Sequence, residues 1–261
     1  MALFWHEVKR GRLMLTAFTG AIAFMLGICV IIYPEMAGEM AEMSNMFADM
    51  GAFSEAFGMD QLNFGEFMGY FGIECGNTLG LGGALFAALL GIGALAKEET
   101  DKTAEFLLSH PISRTRVVSE KLLAVLFELF LMNVGVIAIT LLATIAVGVE
   151  ANVGTMLLLF LANFLLQVEI AAITFGISAF LHGNGLGIGL GIAFGLYFLQ
   201  ILANLIKGTE FLKFITPFAY TDGSHIVSEA AIEVKYLVSG LALALLGIAA
   251  AYWQYRKKDI A

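Results

Sequence analysis

The sequence is short of proline, charge and cysteine, and each shortage excludes something. Three prolines in 261 residues leave long stretches without a helix breaker. Only 14% of the residues are charged while 59% are hydrophobic, and the mean hydropathy is +0.86. Soluble domains have about 25% charged and about 45 to 50% apolar residues, so this chain has too little polar surface to cover itself in water. Its two cysteines, Cys29 and Cys75, are too few for a disulfide framework; they pair only if they lie at one depth, and free thiols are the preferred reading. No G-x-x-x-x-G-K-[ST] run occurs, so the phosphate-cradling loop of nucleotide hydrolysis is missing. From Pro34 to Glu74 there is no Lys or Arg, only eight acidic residues, which dominate the net charge of -8 and argue against nucleic-acid binding.

What is present is apolar length. Blocks of about 20 residues, enough to cross a hydrocarbon core of roughly 30 Å as a helix, recur along the chain, whereas the short alternating strands of a porin-like barrel do not. The expected fold is therefore an all-α membrane protein with six transmembrane helices, at about Leu13 to Tyr33, Cys75 to Ala96, Leu122 to Val147, Gly154 to Leu181, Gly185 to Ile206 and Tyr236 to Tyr255. Of 14 basic residues, 11 fall before span one, between spans two and three, or after span six. The positive-inside rule makes that side the cytoplasm, with both termini there, and Trp5 and Trp253 near its interface.

The first block is too long for a secretory h-region and no small-x-small site precedes Pro34 and Glu35, so a retained anchor is expected. Residues 1 to 12 mix Leu3, Phe4, Trp5 and Val8 with charges; a helix lying on the inner membrane surface and an ordinary charged flank are both open. In the outer connection, residues 34 to 74, Met36, Met40, Met43, Phe47 and Met50 recur at helical spacing opposite Glu35, Glu39, Glu42 and Asp49. Thioethers at that spacing read as packing surface ahead of a greasy or metal ligand site. The second outer connection, residues 207 to 235, contains Thr216-Pro217-Phe218 and then an expected helix from Ser224 to Glu233.

The connection from Lys97 to Lys121 is the most informative. Asp101 or Thr103 can cap a short helix with an apolar face of Ala104, Phe106, Leu107 and Leu108, which Pro111 ends; Ser113 then caps the helix leading into span three. The run Glu98-Glu99, Thr103-Ala104-Glu105-Phe106-Leu107-Leu108-Ser109-His110-Pro111-Ile112-Ser113-Arg114 and Glu120-Lys121 closely resembles the coupling-helix loop of permease subunits of the ABC type-2 transporter family. Six spans, an N-terminal interfacial helix and a Pro-Phe-x-Tyr segment (Pro217, Phe218, Tyr220) before span six are similar to that family too. Ala104 stands where the family usually has Leu, and the loop between spans one and two is longer than in the smallest members.

The resemblance implies one permease domain over residues 1 to 261, multi-pass in the plasma (inner) membrane, in which Glu105, Phe106, Leu107, Leu108, His110, Pro111 and Arg114 form the partner contact. It implies an exporter of an amphipathic compound, peptide or lipid, not an enzyme by itself, and no cofactor or metal in this chain. ATP and Mg would be bound by a separate ABC ATP-binding subunit, and a second permease copy, identical or related, would complete a dimer in contact with membrane lipid. An intramembrane protease and an ATP-independent transporter are the alternatives.

Polar residues within the spans are the remaining candidates. A charge at the bilayer centre costs roughly 2.5 to 3.5 kcal/mol on insertion scales, so Glu169 and its neighbour Gln167 are expected to face protein or water. Asn163, Gln167 and Glu169 are candidates for a translocation path; hydrogen bonding between helices or a dimer contact explains the same residues. Glu128, about two turns from the cytoplasmic end, is placed to reach out of the membrane. The glycines from Gly183 to Gly195 read as close helix packing.

Overall fold

The computed structural model describes residues 2–49, 51, 54, 56, 62–100 and 112–258. Helix α1 spans Ala2–Asp49, α2 Phe67–Glu74, α3 Gly82–Thr100, α4 Arg114–Val147, α5 Val153–Ser178, α6 Leu186–Leu205, α7 Gly223–Glu229 and α8 Val234–Lys257. A π-helical segment, Cys75–Leu81, joins α2 to α3 without a break, so these form one span. With α1, α4, α5, α6 and α8 that makes six helices long and apolar enough to cross a membrane, and no strand is found among the described residues.

The ends of these helices follow local chemistry. Ser113 caps α4 by accepting a hydrogen bond from the Arg116 backbone amide at 3.3 Å, as its position before an apolar run predicts. Gly148 closes the same helix at φ 72°, a left-handed conformation that glycine adopts without steric cost. Asn152 caps α5 through Thr155 at 3.2 Å, so α4 and α5 are joined by a short turn.

Helix α5 is the centre of the bundle. It packs on α3 along one side and α8 along another, while α4 packs mainly on α1. Spans two and four are accordingly the most buried, at 67% and 61% of their apolar windows, against 22% for α6 and for α8, whose outward side chains such as Phe198, Leu245 and Leu246 are left for lipid or another chain. Helices α5 and α8 approach backbone to backbone: a Cβ on Gly176 would lie 2.5 Å from the Gly247 carbonyl oxygen. From the glycine run of α6, Gly185 and Gly189 press on Ile92 of α3, as close packing requires, whereas Gly187, Gly191 and Gly195 face open space.

Three expectations change. Residues 2–12 are helical, but they are the opening turns of α1, and the helix continues past span one to Asp49 with Pro34 inside it. A proline inside a helix removes one backbone hydrogen bond, and α1 runs through that gap into a segment rich in the helix formers Glu, Met and Ala. Span two begins at Phe67, two turns before the expected Cys75, because the aromatic residues Phe67, Tyr70 and Phe71 are buried against Tyr33 and Phe160. The helix expected from Ser224 to Glu233 stops at Glu229, where Ala230 adopts φ 50°.

Candidate functional site

Asn163, Gln167 and Glu169 lie along α5 and are fully buried. Each points at a glycine of a neighbouring span, where the missing side chain leaves room for a polar head. Asn163 faces Gly80 of the π-helical segment, with its amide 3.8 Å from the Cys75 sulfur. Gln167 fills the space at Gly83 of α3, and its side-chain oxygen accepts a 2.6 Å hydrogen bond from Asn133 of α4. Glu169 turns the other way, into the gap left by Gly240 of α8. One helix thus sends polar groups to spans two, three and six.

These groups are incompletely satisfied. Neither oxygen of Glu169 has a hydrogen-bond partner, and neither do Asn163 Oδ1, Asn133 Oδ1, Gln167 Nε2 or the Tyr220 hydroxyl. Tyr220 belongs to the 3₁₀ segment Pro217–Thr221, which is buried throughout against α5, and its ring is 1% exposed. Burial raises the Tyr220 phenol above its ordinary pKa, and the Glu169 carboxyl facing it adds to the rise. Thr216 holds this segment down by donating to the Leu196 carbonyl of α6 at 2.7 Å, and Tyr197 meets Phe218 edge-on.

At the end of the bundle where the basic residues gather, the pattern reverses. Lys121, 1% exposed, binds Glu7 of α1 at 2.9 Å and the Ala94 carbonyl of α3 at 2.7 Å. Glu120 accepts from Arg116 at 2.8 Å and from the Phe4 backbone amide at 3.2 Å, which ties the first turn of α1 to α4. Arg114 donates to the carbonyls of Tyr255, Arg256 and Lys258 at 3.3, 3.2 and 2.5 Å, and so clasps the last turn of α8. The Lys258 ammonium in turn donates to the Leu181 carbonyl just beyond α5. The Arg114 and Lys258 bonds satisfy carbonyls at helix ends with a cation, and Glu120 sets a carboxylate on a first-turn amide of α1, the favoured charge in each place.

A family model described as ABC-2 family transporter protein matches residues 1–260. The chain belongs to that family. It is a membrane-spanning permease subunit of an ABC transporter, a transport component that pairs with an ABC ATP-binding subunit. No match was found among curated proteins.

In this ABC-2 permease, Glu105, Phe106, Leu107, Leu108, His110 and Pro111 lie outside the described residues. Arg114 is described, and the contacts it shows are to the last turn of α8. Glu128 does not reach out: it is 3% exposed and folds back onto Gly11 of α1. Cys29 and Cys75 are free, as expected. Sequence reasoning missed the glycine partners Gly83 and Gly240 and the Glu7–Lys121 pair. The signal for the first was a glycine at a depth matching each buried polar residue; for the pair, more than 100 residues of intervening chain leave no local signal.

Proposed function

We propose that this permease is the membrane half of an ATP-driven exporter, with residues 101 to 111 as its coupling helix, working as a dimer of two such chains above two ATP-binding subunits that hold ATP and Mg. One observation carries the reading most of the way. The last turns of α3, the first turns of α4, the start of α1 and the end of α8 are tied together at one end of the bundle by Lys121–Ala94, Lys121–Glu7 and Arg114 with its three carbonyls. The segment 101 to 111 therefore leaves from and returns to the best-anchored end, where a push from a partner is passed to four spans at once. The basic residues gathered at that end support the reading that it faces the cytoplasm, with both termini on that side of the inner membrane. The match over residues 1–260 to an ABC-2 family weighs against an intramembrane protease or a transporter that runs without an ATPase. Amphipathic compounds, peptides and lipids are the substrate classes that go with such an exporter, and Asn163, Gln167 and Glu169 are proposed to border its path.

The decisive experiment replaces Phe106 and Leu107 with charged residues. Neither lies in a span, so insertion persists, while co-purification with the ATP-binding subunit falls by at least about tenfold, because buried aromatic anchors are worth about 2 kcal/mol or more. Normal binding and transport in the double variant would overturn the coupling role.

A further inference from the structure

Beside the Glu7–Lys121 pair the bundle encloses a cavity of about 280 Å³ between α1, the end of α3, α4 and the loop before α6. Its walls are mostly apolar: Met14, Leu89, Ile92, Val125 and Leu186 contribute, with Gly93 and Gly185 widening it. Four charged residues also line it, Glu7, Lys97, Lys121 and Glu128. Lys121 is saturated by Glu7 and the Ala94 carbonyl, and Lys97 has interactions of its own. Glu128 differs. It is 3% exposed, its Oε2 has no hydrogen-bond partner, and Lys97 and Glu7 act on it only through their opposed charges, with no ion pair formed among the described residues. An apolar chamber with one unanswered buried carboxylate is a recognition site for a positive head on a small greasy body, since a buried charge is tolerated when it is paired.

We infer that this cavity binds a small amphiphilic amine, with its ammonium group on Glu128 and its hydrocarbon against Ile92, Val125 and Leu186. The charge that selects a cation is Glu128 itself, because the other three charged groups are already engaged. Gly11 sets the position of the carboxylate: a Cβ there would collide with it. The site lies within one chain and goes beyond the export reading, because it needs neither the ATP-binding subunit nor a second permease.

The test uses the purified full chain in lipid nanodiscs and three probes of one shape: cyclohexylmethylamine, cyclohexylmethanol and cyclohexanecarboxylate. Binding is read by saturation-transfer NMR and thermal shift at millimolar probe. The amine binds, and the alcohol and the acid bind at least about tenfold more weakly, the difference one ion pair of about 1.4 kcal/mol makes. Glu128→Gln removes the preference for the amine. Gly93→Leu is the control against misfolding: Gly93 lines the chamber and a Cβ on it meets nothing within 4 Å, so the new side chain starts into open space and takes up volume there. That variant keeps its melting temperature and loses all three probes. Equal binding of amine and alcohol, an amine preference that survives Glu128→Gln, amine binding that survives Gly93→Leu, or no binding of any probe each overturns the assignment. Because no arm of the test involves ATP or transport, its failure leaves the coupling reading standing, and failure of the coupling reading leaves this one standing.

Discussion

The middle of α5 and the basic end of the bundle both bury polar side chains, and they do so in opposite ways. At the basic end Lys121, Glu7, Glu120, Arg116 and Arg114 have partners within hydrogen-bond distance. In the middle Asn163, Gln167 and Glu169 sit in slots cut by glycines and leave donors and acceptors unanswered. The first arrangement is a fastener, with each charge bound to a backbone carbonyl or an opposite charge. The second keeps polarity available inside a packed core, which is stability withheld for some other purpose.

Breaking the fastener has the largest expected effect. Lys121→Met strands Glu7 and destabilises the bundle by about 3 to 5 kcal/mol, whereas Glu7→Gln in the same chain returns much of the loss. The yield of monodisperse protein after extraction, followed by denaturant titration, reads both. If the single and double variants are equally unstable, the pair is not what holds α1 to α4.

Closing a slot comes next. Gly83→Leu drives a side chain into Gln167 and costs about 1 to 3 kcal/mol of overpacking, measured as a lower melting temperature in detergent. A variant as stable as the parent would mean that the slot is roomier than its walls suggest.

Glu169 sharpens the contrast, since it has no ion pair among the described residues and its polar neighbour is the buried Tyr220 hydroxyl. Glu169→Leu should leave stability unchanged or raise it by roughly 1 kcal/mol, because an apolar replacement is often neutral or better at a buried charge. Transport should nonetheless fall, as it should for Glu169→Gln with assembly intact. Loss of the folded complex in both variants would put Glu169 with the fasteners.

The smallest change is Gln167→Leu. It removes a 2.6 Å bond to Asn133, and such bonds between membrane helices average about 0.6 kcal/mol. A loss several times larger would show that the middle of α5 carries more of the bundle's stability than its unpaired atoms suggest.

The six spans were legible in the sequence because lipid demands apolar length, and that demand acts locally. So was the cap at Ser113, whose chemistry lies within three residues of the helix it starts. Other features needed the third dimension. Arg114 stands at a helix start in a polar run and reads as facing a partner, yet its carbonyl acceptors lie more than 140 residues away. Depth alone points Glu128 outward, and only the packing of α1 shows Gly11 opposite it. The early start of span two was hidden because glycines at 69, 72 and 76 dilute its apolar signal, while its rings find partners on α1 and α5.

The π-helical segment Cys75–Leu81 sets the two halves of span two out of phase. A wider turn holds extra chain, and one extra residue rotates everything on one side of it by about 100° relative to an unbroken α-helix. Phe67 and Phe71 are thereby aimed at Tyr33 and Phe160 while Gly83 and Gly91 still meet α5. Span two is geared like two cogs cut at different angles on one shaft. Tightening the segment into α-helix would turn the aromatic half against the glycine half without bending the rod, a rotation that a straight uniform helix has no means to make.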